Sequence, residues 1–131
     1  MMVVDSSAVI AILQAEDDAQ SLAEALASAD HLVMSAVNAH ESAMILRARG
    51  GSESAQDFWH FLAANGIEVA PFDENQARAA SEAFGRFGKG LHSMARLNLA
   101  DCAAYALAKS LSAPLLFKGD DFTHTDIEQW R

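Results

Sequence analysis

The stretch Met1–Leu13, MMVVDSSAVIAIL, decides how the rest of the chain is interpreted. A short β-branched run at Val3–Val4 is typical of a buried strand, and it stops at a carboxylate, Asp5. Ser6 and Ser7 follow, and residues of this kind cap the helix that the next apolar residues predict. Because a charge is costly to bury, the acid favours a strand that ends at a cleft and not inside the core.

Strand-like and helix-like patterns alternate along the rest of the chain. Further strands are predicted at residues 31–34, 67–70 and 113–117, and helices from residue 8, over 18–29, from about 35 to the glycine pair at 50–51, and over 52–64, 74–87 and 98–111. Short strands that alternate with helices are typical of a parallel sheet. We therefore predict one α/β domain over residues 1–131, with four to five short, mainly parallel strands and helices on both sides.

Composition limits the classes of function. The formal net charge of -9 argues against broad attraction to nucleic acid or anionic lipid, although basic residues do gather in one stretch, at Arg78, Arg86, Lys89 and Arg96. A single cysteine, Cys102, excludes a disulfide framework and a cysteine-rich zinc site. There is neither an apolar run of membrane-spanning length nor a signal-peptide pattern, so we expect a soluble protein of the cytoplasm.

Three more carboxylates are predicted at the same edge of the sheet as Asp5. Glu41 lies near the start of the helix after the second strand, Asp101 has the matching place in the helix that follows Asn98, and Asp121 follows the fourth strand. Carboxylates brought this close together would repel one another unless a cation neutralised them. Ligands that are all oxygens favour a hard ion, Mg²⁺ or Mn²⁺, and such an ion suits phosphate chemistry.

Each of these acids also has a purely structural explanation. Asp5 could cap the first helix, Asp121 could be a turn residue, and residues 38–41 and 98–101 both fit a capping box. Taken singly, capping is the simpler explanation for each acid. Four acids on one predicted edge are harder to explain in this way, and the spacing alone leaves both explanations open.

A carboxylate directly after the first strand would also suit a phospho-receiver or a phosphatase-like α/β domain. Phosphatases of that type need a second aspartate two residues later, and this chain has Ser7 there. Receivers need an acidic pair at the first strand and an aspartate at the end of the central strand, whereas Asp101 opens a helix. This alternative therefore fits the pattern less well than a metal site.

Three segments carry the most specific motifs. They are VVDSSAVIAIL at 3–13, SAVNAHESAMIL at 35–46 and LNLADCAAYALAKSLSAPLLFKGDDFTHTDIE at 97–128. The last combines N-x-x-D-C-x-x-Y-A-L-A with G-D-D-F-x-x-T-D-I. Together they resemble the PIN-domain family and, within it, the VapC-type toxins of bacterial toxin–antitoxin pairs. The resemblance covers nearly the full length, although residues 52–95 match in organisation more than in motif.

The resemblance implies a metal-dependent endoribonuclease toxin that hydrolyses RNA phosphodiester bonds. Its acidic quartet would be Asp5, Glu41, Asp101 and Asp121, with Asp121 rather than its neighbour Asp120 as the fourth acid. These acids would hold one or two Mg²⁺ ions, for which Mn²⁺ could substitute. The resemblance also implies a VapB-like antitoxin, a homodimer formed through helices, a toxin–antitoxin hetero-oligomer, no membrane, and an RNA substrate for which a structured RNA such as tRNA fits.

Several polar residues are expected to support the metal ligands or the substrate. Hydroxyls that could hydrogen-bond a ligand or a phosphate are those of Ser6, Ser7 and Thr123, and cations that could hold the RNA backbone are Arg86, Lys89 and Arg96. A solvated helix face and loop would explain the same basic residues. A non-catalytic binding module of PIN fold is the remaining alternative, and it predicts no metal affinity.

Overall fold

The computed structural model describes residues 1–130, in which short strands alternate with helices as the sequence predicts. The elements in chain order are β1 (Met2–Val4), α1 (Ser6–Leu13), α2 (Ala19–Ser28), β2 (Leu32–Ser35), α3 (Ala36–Ala64), β3 (Ile67–Ala70), α4 (Glu74–Phe87), α5 (Leu99–Leu111) and β4 (Leu115–Leu116). Most bounds lie within two residues of the prediction. The largest differences are that α1 begins two residues earlier, directly after its cap, and that β4 is shorter than the predicted run.

The four strands form a single sheet in the order β3-β2-β1-β4, and every pairing is parallel. The predicted parallel α/β fold is therefore confirmed. Because the strands are parallel, all of them end at the same edge of the sheet. The chain adds β2 and β3 on one side of β1 and then places β4 on the other side. Ligand sites of open α/β sheets form at such a reversal of strand order, beyond the carboxyl ends of the strands.

The segment before the C-terminus extends this sheet beyond β4. The Leu115 N–H donates to the Glu128 carbonyl at 2.8 Å, and the Trp130 N–H donates to the Leu115 carbonyl at 3.0 Å. This short parallel bridge covers the outer edge of β4 without forming a full strand. Four strands lie within residues 1–130, in agreement with the predicted four to five, and the bridging segment lies beside them.

β1 separates two hydrophobic cores, one on each face of the sheet. Successive strand side chains point to opposite faces. Val3 packs in the core that α4 and α5 cover, whereas Met2 and Val4 pack in the core of α1, α2 and α3, with Leu46 and Phe58. All three β1 residues are fully buried, which explains why the strand is apolar throughout rather than alternating.

The glycine pair at 50–51 interrupts α3 as predicted, without ending the element. Gly51 has φ 79° and ψ -168°, and a second helical segment continues directly after it. Within residues 1–130, no helix is both long enough and apolar enough to span a membrane.

A candidate metal centre at the carboxyl edge of the sheet

Asp5 lies directly after β1 and is almost fully buried, with 4% of its surface exposed. Its Oδ2 accepts the Ser7 N–H at 3.0 Å and the Ser7 hydroxyl at 2.6 Å, so Asp5 is the N-cap of α1. Burial raises the pKa of Asp5 to about 6; the hydrogen bonds from Ser7 oppose the rise, and the charge of Glu41 adds to it. Asp5 therefore does cap α1, and the cap uses only one of its two carboxylate oxygens.

Asp101 lies in the first turn of α5 and has 8% of its surface exposed. It forms the predicted capping box with Asn98: Oδ2 of Asp101 accepts the Asn98 N–H at 3.0 Å, and the Asp101 N–H donates to Oδ1 of Asn98 at 2.9 Å. Burial raises the pKa of Asp101 to about 7, against the hydrogen bond from Asn98. The ionised form of this carboxyl is therefore disfavoured as long as no cation offsets the burial.

Electrostatic coupling links the four predicted acids to one region of the molecule. The charges of Asp5, Asp121 and Glu41 all contribute to the raised pKa of Asp101. Asp5 and Asp101 are buried, Glu41 is half-buried and Asp121 is exposed on the turn after β4. The parallel topology places these acids at the same edge of the sheet, because each belongs to a segment that starts there.

The second predicted capping box, at residues 38–41, is wrong. α3 begins three residues earlier, where the hydroxyl oxygen of its N-cap Ser35 accepts the Val37 N–H at 3.2 Å. Asn38 and Glu41 therefore lie inside the helix and not at its first cap. Asn38 is fully buried, and Glu41 is left without a capping role.

The donor set matches the chemistry of a hard divalent cation. It consists of carboxylate oxygens, which are the ligands that such cations prefer. Burial disfavours the ionised forms of Asp5 and Asp101, and the charge of a bound cation would offset this penalty. As the side chains stand, no three histidine, cysteine, aspartate or glutamate residues within 1–130 are close enough together to hold an ion.

Comparison with known proteins identifies the family of the chain. The model of the PIN domain matches residues 2–128. This chain belongs to the PIN-domain family. Over 126 residues it is 45% identical to Ribonuclease VapC42 of Mycobacterium tuberculosis, with 96% of each chain covered. The resemblance found in the sequence is thereby confirmed, and the phospho-receiver alternative is excluded.

Solved structures agree with the PIN fold. VapC20 of Mycobacterium tuberculosis, described as a sarcin-ricin loop cleaving toxin, has a TM-score of 0.82 and 16% identity, covering 100% of this chain and 99% of that one. VapBC2 from Rickettsia felis, bound to a DNA fragment from its promoter, has a TM-score of 0.71 and 17% identity, covering 99% and 98%. At such low identity, the likeness shows the fold alone.

The three predicted hydroxyls of this PIN domain differ in what they contact. The Ser7 hydroxyl donates to Asp5 and also accepts the main-chain N–H of Lys118 at 3.0 Å, so it links β1 to the segment after β4. The Ser6 hydroxyl donates to the main-chain carbonyl of Asn38 at 3.2 Å. The Thr123 hydroxyl donates to the Asp120 carbonyl at 2.7 Å. Of these three hydroxyls, only that of Ser7 donates to one of the four acids, Asp5.

Lys118 anchors the turn that carries the fourth acid. Its ammonium group pairs with Glu16 and, at 3.2 Å, with Asp18, both in the connection between α1 and α2. Together with the hydrogen bond to Ser7, this fixes where the turn bearing Asp121 begins. No local pattern in the sequence predicts this pairing, because its partners are about 100 positions apart along the chain.

The predicted basic stretch divides into paired and unpaired residues. Arg86 lies 3.6 Å from Asp126 and stacks over the Phe87 ring at 4.6 Å, and Tyr105 donates its hydroxyl proton to the same Asp126. Lys89 and Arg96 are exposed, and neither forms an ion pair with any residue in 1–130. These two cations are therefore the more available members of the stretch.

Proposed function

We propose that this PIN domain is a VapC-type toxin that hydrolyses RNA phosphodiester bonds with a divalent cation, Mg²⁺ or Mn²⁺. The observation that carries the proposal is the pair of buried carboxyls, Asp5 and Asp101, whose pKa values are raised to about 6 and about 7. Perturbed pKa values cluster at functional sites, where burial and like charges are arranged around reacting or metal-binding groups. The VapC ribonucleases, related to this chain over nearly its full length, support the same activity.

Asp5, Asp101 and Asp121 would hold the ion, and Glu41 would bind it directly or through a water molecule. When bound, the ion supplies a water of lowered pKa and neutralises charge on the phosphoryl oxygens. The chain's own residues orient these acids. Ser7 and the capping box of α5 each use the Oδ2 atom of an aspartate. This leaves Oδ1 of Asp101 for an ion, together with the side of Asp5 Oδ1 that does not face the Asn38 amide 3.4 Å away.

The RNA backbone would be held by exposed cations of the predicted basic stretch. Lys89 and Arg96 are exposed and unpaired within residues 1–130, whereas Arg86 would first have to leave Asp126. With a net charge of -9, the protein would bind generic duplex weakly. A structured RNA such as a tRNA fits the family as a substrate, and no residue of the chain selects it.

A VapB-like antitoxin would neutralise the toxin. VapBC assemblies among the structural neighbours of the chain support a partner of this kind. The homodimer and the toxin–antitoxin hetero-oligomer belong to the same proposal. Co-expression with the product of the neighbouring open reading frame, followed by co-purification, tests the pairing, and a neighbour that does not co-purify would contradict it.

The proposed reaction is tested by incubating the purified protein with RNA and Mg²⁺, beside the Asp5→Asn and Asp101→Asn variants. Each substitution removes a ligand charge while keeping the shape of the side chain, so we expect cleavage to fall by about 100-fold or more. EDTA should abolish it and Mn²⁺ should restore it. Cleavage that survives both substitutions, or persists in excess EDTA, would falsify the proposed metal mechanism.

Asp120 and Asp121 provide a matched pair for the fourth acid. Both are exposed on the same turn, but Asp121 is among the charges that raise the pKa of Asp101. Asp121→Asn should therefore impair cleavage, and Asp120→Asn should leave it near the wild-type rate.

A non-catalytic binding module predicts instead that the wild-type protein neither cleaves RNA nor binds Mn²⁺ in calorimetry.

A further inference from the structure

Asn38 joins the three elements that carry Asp5, Glu41 and Asp101. It lies on α3, three residues before Glu41, and is fully buried. Its Nδ2 donates to the Ala100 carbonyl at 3.0 Å, directly before Asp101 on α5. The same amide donates to the Ser6 hydroxyl oxygen at 3.2 Å and approaches Oδ1 of Asp5 at 3.4 Å. One amide group thus connects α3 to α5 and to the junction of β1 and α1.

The neighbouring acceptors fix the orientation of this amide. A carboxylate and a main-chain carbonyl can only accept hydrogen bonds, so both require the NH₂ side of Asn38. The Ser6 hydroxyl uses its own proton on the main-chain carbonyl of Asn38, which leaves its oxygen to accept. The two Nδ2 protons of Asn38 are shared among these three oxygens, and a rotated amide would place Oδ1 against them and lose these contacts.

Packing alone does not explain an asparagine at this position. The Oδ1 atom of Asn38 is buried and has no hydrogen-bond partner among residues 1–130. A buried acceptor without a partner destabilises a fold, and an apolar side chain would avoid that penalty. This asparagine supplies two N–H donors, which the oxygens of Asp5, Ser6 and Ala100 share, and an apolar residue would supply none.

We propose that Asn38 is a positioning residue that sets the separation of Asp5 and Asp101 for cation binding. The inference rests on the proposed metal centre. Metal ligands depend on the hydrogen bonds that orient them, and removing such a partner typically weakens metal affinity about 10- to 100-fold. Asn38 acts on both aspartates at once, through Oδ1 of Asp5 and through the main chain before Asp101.

The test compares Asn38→Ala with Ser42→Ala in the metal-free protein and with Mn²⁺. Ser42 is the matched control because it is also fully buried on α3 and donates to the Asn38 carbonyl at 2.7 Å. Within residues 1–130, its side chain forms no hydrogen bond to any of the four acids. Calorimetry should show Mn²⁺ affinity reduced about 10-fold or more in Asn38→Ala and unchanged within about twofold in Ser42→Ala.

Hydrogen exchange in the metal-free protein provides a readout that needs no ion. Without the hydrogen bond to Ala100, exchange in the first turn of α5 should be faster in Asn38→Ala and not in Ser42→Ala. Asn38→Thr replaces the amide with a hydroxyl, which supplies one donor on a side chain of similar volume, and should recover part of the Mn²⁺ affinity. If Asn38→Ala does not fold, Asn38→Leu refills the volume without the donor and takes its place.

The outcomes separate this inference from the proposed function. Wild-type protein that binds no Mn²⁺ would refute the metal centre, and with it the role of Asn38 in cation binding. Wild-type binding together with unchanged affinity in a folded Asn38 variant would refute the positioning role alone. Equal exchange in the first turn of α5 in the Asn38 variant and the wild type would also overturn it.

Discussion

At the scale of the residue, Asp101 has a structural and a chemical role at once. Its Oδ2 closes the capping box at the start of α5, while burial raises the pKa of the carboxyl to about 7. Asp5 does the same for α1, since its Oδ2 accepts both hydrogen bonds from Ser7. Capping and metal binding, which the spacing presented as competing explanations, are therefore compatible, because each carboxylate has a second oxygen.

The raised pKa values predict that the metal-free protein loses stability as pH rises. The ordinary aspartate pKa is 3.8, and the folded-state values of Asp5 and Asp101 are about 6 and about 7. Between these limits the folded state binds more protons than the unfolded state, so the free energy of unfolding decreases with pH. The stabilising contribution of the two protonated carboxyls is complete below the ordinary pKa of 3.8. It is lost as pH rises through the folded-state pKa values of about 6 and about 7.

Thermal unfolding in EDTA at a series of pH values from about 5 to about 8 measures this loss. Asp101→Asn should lose less stability than the wild type over that range and should be the more stable protein at the upper end. Mn²⁺ should restore much of the wild-type stability there, by binding the ionised form. A wild-type melting temperature that tracks that of Asp101→Asn throughout would show that the ionised Asp101 does not strain the fold.

At the scale of the element, a single backbone conformation divides α3. Gly51 has φ 79°, in a region that residues with a side chain avoid, although a Cβ there would meet no atom within 4 Å. The penalty for substitution is therefore conformational and not steric. The predicted helix break is correct for this reason, and Gly51 lets two helical segments meet without an intervening loop.

The pair Gly51→Ala and Gly85→Ala separates conformation from helix propensity. Gly51→Ala should lower the free energy of unfolding by about 1–3 kcal/mol. Gly85 lies inside α4 and is equally free of neighbours, so Gly85→Ala should raise stability by up to about 1 kcal/mol. Urea unfolding of both variants measures the difference, and effects of the same sign would contradict the explanation.

At the scale of the whole molecule, charge sets the problem that an RNA substrate would face. The net charge is -9, and the four acids add their repulsion where a phosphate would have to enter. Cation binding would remove part of that repulsion locally. The remaining attraction must come from individual basic residues, and Lys89 and Arg96 are exposed without an ion pair in residues 1–130.

Replacing Lys89 and Arg96 by alanine should weaken RNA binding more than it slows the chemical step. The double variant should raise KM with little change in kcat. The salt slope of binding to single-stranded RNA should fall by about 0.7 for each phosphate that the protein no longer neutralises. Arg78→Ala is the control, since Arg78 already pairs with Glu74 at 2.8 Å on α4. A salt slope equal to that of the wild type would place the RNA elsewhere.

Much of the fold and the choice of acids could be predicted from the sequence because these features have local signatures. The apolar run before Asp5, the helix signals after it and the alternation of elements predict parallel strands that end at one edge. Motifs around Glu41, Asp101 and Asp121 then identify the family. The first residue of α3 could not be predicted in this way, since Ser35 and Asn38 are both suitable N-cap residues. The hydrogen bond from the Val37 N–H selects Ser35.

By itself, the sequence determined the α/β alternation, the PIN-domain resemblance and the four candidate acids. Only the tertiary structure decided that Asn38 ties Asp5 to α5, that Lys118 pairs with Glu16, and that Asp101 is buried. The physical reason is range. Helix caps and strand patterns depend on residues within a few positions of one another, whereas burial and the hydrogen bonds of a buried amide depend on segments that meet only when the chain has folded.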